Sequence, residues 1–169
     1  MDLGLSNRTA FVAGASKGRG RATAHELARE GCSVALCSRD GDRIRTAAEA
    51  IRDDTGAEVL PLVCDVTDAE QVESAIAQTA NTFGGLHVLV TNAGGPPSGA
   101  ATELDPSDYR DAVELNLMST ISLCDAPLPH LRPPAAEDDH ARVIMLTSVA
   151  SKQPIPPLAP PHPAPARVP

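Results

Sequence analysis

Between residues 10 and 28 the chain runs from an apolar stretch, Ala10 to Ala13, through three glycines, Gly14, Gly18 and Gly20, into apolar residues at helical spacing, Ala22, Ala24, Leu27 and Ala28. That order predicts a buried strand, a tight turn and a helix. Glycine lets a backbone come close to a ligand with no Cβ in the way, and the first turn of a helix offers unpaired N–H groups and the positive end of its dipole. Such a turn suits a diphosphate. Residues 14–20, with Ser16 and Lys17 between the glycines, therefore predict a dinucleotide site. A strand-to-helix turn that uses glycine only for its own backbone geometry is the plainer alternative.

The rest of the chain repeats the alternation. Ser33 to Cys37 reads as a second strand, and Asp42 to Asp53 as a helix with Ile44, Ala47, Ala48 and Ile51 on one face. Glu58 to Cys64 reads as a third strand, Ala69 to Phe83 as a third helix, and His87 to Val90 as a fourth strand. Asp65 or Thr67 is suited to cap the third helix. A fourth helix begins near Pro106, a residue tolerated in a first helical turn, and continues towards Cys124; Arg142 to Thr147 is a fifth strand. Strands alternating with helices predict one doubly wound parallel α/β sheet with helices on both faces, a Rossmann-like fold.

Ligands of such sheets bind beyond the carboxyl ends of the strands. Ser38, Arg39 and Asp40 follow the second strand, where ribose selectivity is set. A 2′-phosphate needs a cation there, and an NAD site needs an acid. Arg39 offers a planar fork for phosphate and Lys17 a second charge, so NADP(H) is favoured and NAD(H) remains possible. The competing reading makes Arg39 a solvated charge and Asp40 a helix cap.

With 14 basic and 22 acidic residues the net charge is −8, which argues against nucleic acid as a partner. No apolar run reaches the ~18 residues of a membrane helix, and no basic-then-apolar leader opens the chain, so a cytoplasmic protein with no membrane partner is expected. Cys32, Cys37, Cys64 and Cys124 lack metal-ligand spacing and read as reduced core thiols, with no metal site expected.

Asp65-Val66 follows the third strand and Asn92-Ala93-Gly94 the fourth, both in register with Gly14-x-x-x-Gly18-x-Gly20. Together they resemble the short-chain dehydrogenase/reductase family, whose turn is Thr-Gly-x-x-x-Gly-x-Gly, and the resemblance covers residues 5–150. It implies strand order 3-2-1-4-5, with Asp65 and Val66 holding adenine, and Asn92 bracing the sheet while Ala93 and Gly94 lie along the cofactor. It further implies that Asn116, in Glu114-Leu115-Asn116-Leu117, binds a water of the proton relay and that Ser148 hydrogen-bonds the substrate carbonyl. The implied function is NADP(H)-dependent interconversion of a small carbonyl compound and its alcohol, similar to that of the 3-oxoacyl carrier-protein reductases, in a family that is usually homo-oligomeric. Ala13 stands where Thr is usual, losing a local hydrogen bond. Arg19 replaces a small apolar residue, which predicts disturbed packing beneath the cofactor.

The resemblance stops after the fifth strand. The family's Tyr-x-x-x-Lys positions fall at Pro161 and Pro165, and the one tyrosine, Tyr109, precedes Asn116 and reads as packing. Eight of the sixteen prolines lie in residues 154–169, which no helix can traverse, so residues 1–153 are expected to form the domain and 154–169 a disordered or polyproline II tail. A reading-frame shift near Pro156 would account for that tail. With the sixth and seventh strands absent, a sheet edge and apolar helix faces are expected to lie open, favouring aggregation or a partner. Without the tyrosine as general acid, catalysis is expected to be impaired. Two alternatives are a non-catalytic nucleotide-binding fragment and, through Pro157-Leu158-Ala159-Pro160, a proline-motif interaction module.

Overall fold

A computed structural model of the chain describes residues 3–95, 104–131 and 141–148; the tail 154–169, with Pro161 and Pro165, lies outside the described residues. The element order is β1 (Thr9–Val12), α1 (Gly18–Arg29), β2 (Ser33–Ser38), α2 (Gly41–Thr55), β3 (Val59–Val63), α3 (Ala69–Phe83), β4 (Val88–Thr91), α4 (Pro106–Val113), α5 (Ser119–Asp125) and β5 (Arg142–Met145). The five strands are parallel in the order β3-β2-β1-β4-β5, as the sequence predicts.

The apolar runs form strands because both sheet faces are covered. Successive side chains of a strand point to opposite faces. Ala10, Val12, Val34, Leu36, Val88 and Val90 pack with Ala24, Leu27 and Ala28 of α1 and with Ile44, Ala48 and Ile51 of α2. Phe11, Ala35, Cys37 and Leu89 pack on the other face with Val72, Ala75 and Ile76 of α3 and Leu123 of α5. Phe11 stands between Ala35 and Leu89 in register, at the centre of the sheet, and is fully buried. Burying a side chain of that size stabilises the fold by about 1.5–3 kcal/mol.

Several boundaries differ from the sequence reading. α2 begins at Gly41 because Asp40 caps it, accepting the Arg43 N–H at 3.0 Å. Asp68, and not Asp65 or Thr67, caps α3; Asp65 instead closes a local turn by accepting from Thr67 N–H and Oγ1 at 3.0 and 2.8 Å. The long fourth helix is interrupted by a π-helical turn, Glu114–Met118, between α4 and α5. There Asn116 Nδ2 donates to the Ala112 carbonyl at 2.9 Å, Thr120 Oγ1 to the Asn116 carbonyl at 2.8 Å, and Ser119 Oγ to the Leu115 carbonyl. Side chains that hydrogen-bond back onto the preceding turn compete with the regular ladder. Tyr109 is exposed, contrary to the packing role expected of it, because Ala112 alone of α4 is buried.

β5 ends at Met145, two residues short of its predicted end, and its exposed residues include Val143, Ile144 and Met145. It is the strand at one end of the sheet. Cys32, Cys37 and Cys64 are buried, Cys124 is half-buried, and all four are free thiols.

Candidate functional site

The strand order reverses between β1 and β4, and in doubly wound sheets the ligand crevice lies at that switch, beyond the carboxyl ends of the strands. A cleft of about 370 Å³ opens at that place.

One wall is the turn from β1 into α1. Ala13 N–H donates to the Val90 carbonyl and Ala15 N–H to the Cys37 carbonyl, both at 3.0 Å, fixing the turn to β4 and β2. Asn92 Nδ2 donates to the carbonyls of Ala13 and Gly14 at 3.2 and 3.1 Å. This close approach requires glycine. A Cβ on Gly14, whose φ is +58°, would stand 2.7 Å from Asn92 Nδ2, and one on Gly20 would stand 2.5 Å from the Gly14 carbonyl oxygen. Real Cβ contacts do not come that near. Gly20 thus sits beneath the cleft and lets the first turn of α1 close onto the strand.

The same turn leaves its donors open. Lys17, the residue before α1, supplies no side-chain cap, and the first turn carries no acid. Among the described residues no acceptor meets the backbone N–H groups of residues 16–20; the first bond is Arg21 N–H to the Lys17 carbonyl at 3.4 Å. Unmatched N–H groups at a helix start form an anion cradle.

The second wall follows β2 and β3. Arg39 is exposed, and among the described residues neither its side chain nor that of Lys17 makes an ion pair. Asp40 is occupied: one oxygen caps α2, and the other pairs with Arg43 Nε at 3.1 Å. The cleft is therefore lined by Lys17, Arg19, Arg39 and Arg43 against one carboxylate already engaged. Cys64 and Val66 close this side. Cys37 and Cys64 share a hydrogen bond, which together with burial holds the Cys37 thiol above its ordinary value; the same bond lowers Cys64. Burial pushes the Cys32 thiol, away from the cleft, up to about 11.

The family model described as short chain dehydrogenase matches residues 8–160. The chain belongs to that family. A dehydrogenase subunit from Thauera aromatica, (2S)-[(R)-hydroxy(phenyl)methyl]succinyl-CoA dehydrogenase subunit BbsD, is 29% identical over 148 residues, covering 88% of this chain and 58% of its own. L-fucose dehydrogenase of Oryctolagus cuniculus is 34% identical over 128 residues, 75% of this chain and 43% of its own. In structure the chain is similar to L-sorbose reductase of Gluconobacter frateurii complexed with NADPH and L-sorbose, with TM-score 0.84 and 29% identity over 94% of this chain and 59% of that one. It is also similar to an actinorhodin polyketide ketoreductase with NADPH, with TM-score 0.81 and 30% identity. The chain spans about 60% or less of the length of these relatives.

For this short-chain dehydrogenase family member, the cleft gathers most of the cofactor residues expected from the sequence: Gly14, Ser16, Lys17, Gly18, Ser38, Arg39, Val66, Asn92, Ala93 and Gly94. Gly20 lies under it and Asp65 outside its lining. Asn116 lies in the π turn, next to Leu115, which does line the cleft; π turns inside helices are frequent at functional sites. Ser148 lies half-buried three residues beyond β5 and, like Asn116, is not in the lining. Sequence reasoning missed Arg43, Cys64 and Leu115. The three-residue spacing of Asp40 and Arg43 on a helix start was a usable signal for the first.

Arg19 departs from expectation. It does not pack beneath the site; it is exposed, and its Nη1 donates to the Thr147 carbonyl at 3.3 Å. Among the described residues no cluster of histidine, cysteine or acidic side chains is arranged to hold a metal, and no helix is long and apolar enough to cross a membrane.

Proposed function

We propose that the cleft binds NADP(H) and that the chain is the dinucleotide-binding portion of a short-chain oxidoreductase that interconverts a small carbonyl compound and its alcohol. The observation that carries this reading is the set of N–H groups at residues 16–20 unmatched among the described residues, flanked by Lys17 and Arg39, which meet no acid there. The N–H groups and the α1 dipole suit a diphosphate. Lys17 and Arg39 suit a 2′-phosphate, and the Asp40 carboxylate, tied to the α2 N-terminus and to Arg43, no longer competes for the ribose hydroxyls. Val66 offers an apolar wall for adenine, with Asp65 beside it. Asn92, Ala93 and Gly94 floor the central part. NADPH, when bound, supplies the hydride, while the protein supplies orientation and the proton. By family resemblance Ser148 would hold the carbonyl oxygen and Asn116 a relay water.

The presence of Pro161 and Pro165 at the family's tyrosine and lysine positions supports a second reading, in which the chain binds the nucleotide without turning over a substrate. Titration with NADPH and NADH, alongside NADPH absorbance in the presence of a panel of ketones, separates the outcomes. Preference for NADPH with turnover supports the enzyme, and binding alone the second reading. Failure to bind either nucleotide overturns both.

A further inference from the structure

After the phosphates of a dinucleotide are matched, one cation of the cleft is left over. In the reading above Lys17 and Arg39 serve the 2′-phosphate, and Arg43 is paired with Asp40. Arg19 reaches the other way. It starts from the first turn of α1, at the end of β1, and its guanidinium arrives at the carbonyl of Thr147, beyond the end of β5. In the order β2-β1-β4-β5 the ends of β2 and β5 are three strand spacings apart, about 14 Å. Arg19 therefore serves the half of the crevice opposite Arg39.

The contact it makes there is weak. A guanidinium carries five N–H donors. Arg19 spends one on a neutral carbonyl at 3.3 Å, and among the described residues it meets no carboxylate. A cation in the first turn of a helix, two residues after Lys17 and two before Arg21, is also disfavoured by the helix dipole and by its neighbours. Placed so, it suits an anion that arrives from outside, and the fork geometry suits a planar carboxylate, with a charge-assisted pair roughly twice as strong as a neutral one.

Resting on the oxidoreductase reading above, we infer that Arg19 is a specificity residue for substrates that carry a carboxylate close to the reacting carbonyl, the 2-oxo and 3-oxo acids and their hydroxy counterparts. Thr147 immediately precedes Ser148, the residue that by resemblance holds the carbonyl. The Arg19 tip at Thr147 thus places a carboxylate receptor within one residue of the carbonyl receptor.

The test is equilibrium binding and does not need turnover. The chain saturated with NADPH is titrated with acetoacetate and with its uncharged methyl ester, as the native protein and as Arg19→Gln and Arg19→Lys. The acid is expected to bind about tenfold tighter than the ester in the native chain, a preference lost in Arg19→Gln and partly kept in Arg19→Lys, with NADPH affinity within about twofold throughout. Equal binding of acid and ester, no binding of the acid, or an acid preference that survives Arg19→Gln overturns the assignment. So does a loss of NADPH affinity of about tenfold in Arg19→Gln, which would give the guanidinium to the diphosphate. If the native chain takes up no NADPH, the oxidoreductase reading fails on its own, and the same acid-against-ester titration of the nucleotide-free chain decides the role of Arg19.

Discussion

Helices α2, α3 and α4 begin on aspartates, Asp40, Asp68 and Asp105, each accepting backbone N–H groups of its own first turn, and each helix carries a further acid there, Asp42, Glu70 and Asp108. α1 begins on Lys17, has no side-chain cap and no acid, and adds Arg19 and Arg21. The three satisfied helix starts show what this chain does when a helix must stand by itself. The fourth omits every one of those devices, forgoing about 0.5–2 kcal/mol for the cap alone. The difference teaches where stability is withheld in favour of a ligand: the N–H groups of residues 16–20 stay available because, among the described residues, no side chain has taken them.

The largest effect should come from Gly20→Ala. The new Cβ would meet the Gly14 carbonyl at 2.5 Å and Asn92 Nδ2 at 2.9 Å, and the first of these is backbone that cannot rotate aside. The α1 start must move off the strand, at an overpacking cost of about 1–3 kcal/mol. Thermal unfolding should report that loss, and NADPH titration should find no binding. Adding Asn92→Ala relieves only the side-chain clash and should not restore affinity. Full rescue by the double variant would show that the Gly14 contact is not the constraint.

The next prediction turns α1 into a helix of the other kind. Lys17 has extended backbone, φ −160° and ψ 174°, the conformation an N-cap aspartate needs. Lys17→Asp should raise unfolding stability by about 1 kcal/mol, because its carboxylate satisfies N–H groups and complements the dipole. The same carboxylate should repel a diphosphate and weaken NADPH about a hundredfold. Stability and affinity moving in opposite directions is the signature of a start left open for an anion. If both fall, or neither changes, the contrast between α1 and the other helices has no functional content.

Smaller again is Arg39→Ala. An exposed guanidinium with no partner among the described residues contributes little to the fold, so stability should hold while NADPH affinity drops about tenfold and NADH affinity stays constant. The NADPH affinity of the native protein should also fall more steeply with salt than that of the variant. Equal losses with the two nucleotides would place Arg39 on the shared diphosphate, and no loss would make it a solvated surface charge.

Much of this was legible in the sequence because it is written in local rules. Apolar strand runs, helical spacing and the glycine pattern place β1 to β4 within two residues of their observed ends, and the parallel pairing follows from the alternation, while the strand order came with the family resemblance. The Asn92 clamp was reachable only through family resemblance. Nothing in Asn92-Ala93-Gly94 by itself says that an amide spans to carbonyls 78 and 79 residues away. The engagement of Asp40 by Arg43 depends on a rotamer at a helix start, so the sequence left Asp40 between ribose ligand and cap. The π turn at Glu114–Met118 had no periodic signature, because it is a one-residue slip inside an otherwise continuous helical pattern. The reach of Arg19 crosses from α1 to the end of β5, and no local rule reports a long side chain's destination.

The smallest expected effect concerns the self-capped starts and acid. Asp68 lies below its ordinary value of 3.8, chiefly through the Gln71 N–H, and Asp105 below the same value, chiefly through the Ser107 hydroxyl. Each favours its charged form in the folded chain more than in the unfolded one. Their stabilisation is therefore complete above the unfolded value and is lost as pH falls through the lower folded values. Both groups are solvent-exposed, so the effect is modest. Asn is as good an N-cap as Asp but does not titrate, so Asp68→Asn and Asp105→Asn should keep the helix starts at neutral pH and flatten the loss of unfolding midpoint on acidification below about pH 4. Thermal unfolding followed by circular dichroism between neutral pH and the acid limb measures this directly. NADPH affinity at neutral pH should not change in either variant, because neither Asp68 nor Asp105 lines the cleft. Should the acid limb of the variants be as steep as that of the native chain, the carboxylates are not what holds α3 and α4 at their ends; should NADPH affinity change with them, the separation between ligand-holding and self-holding helix starts is wrong.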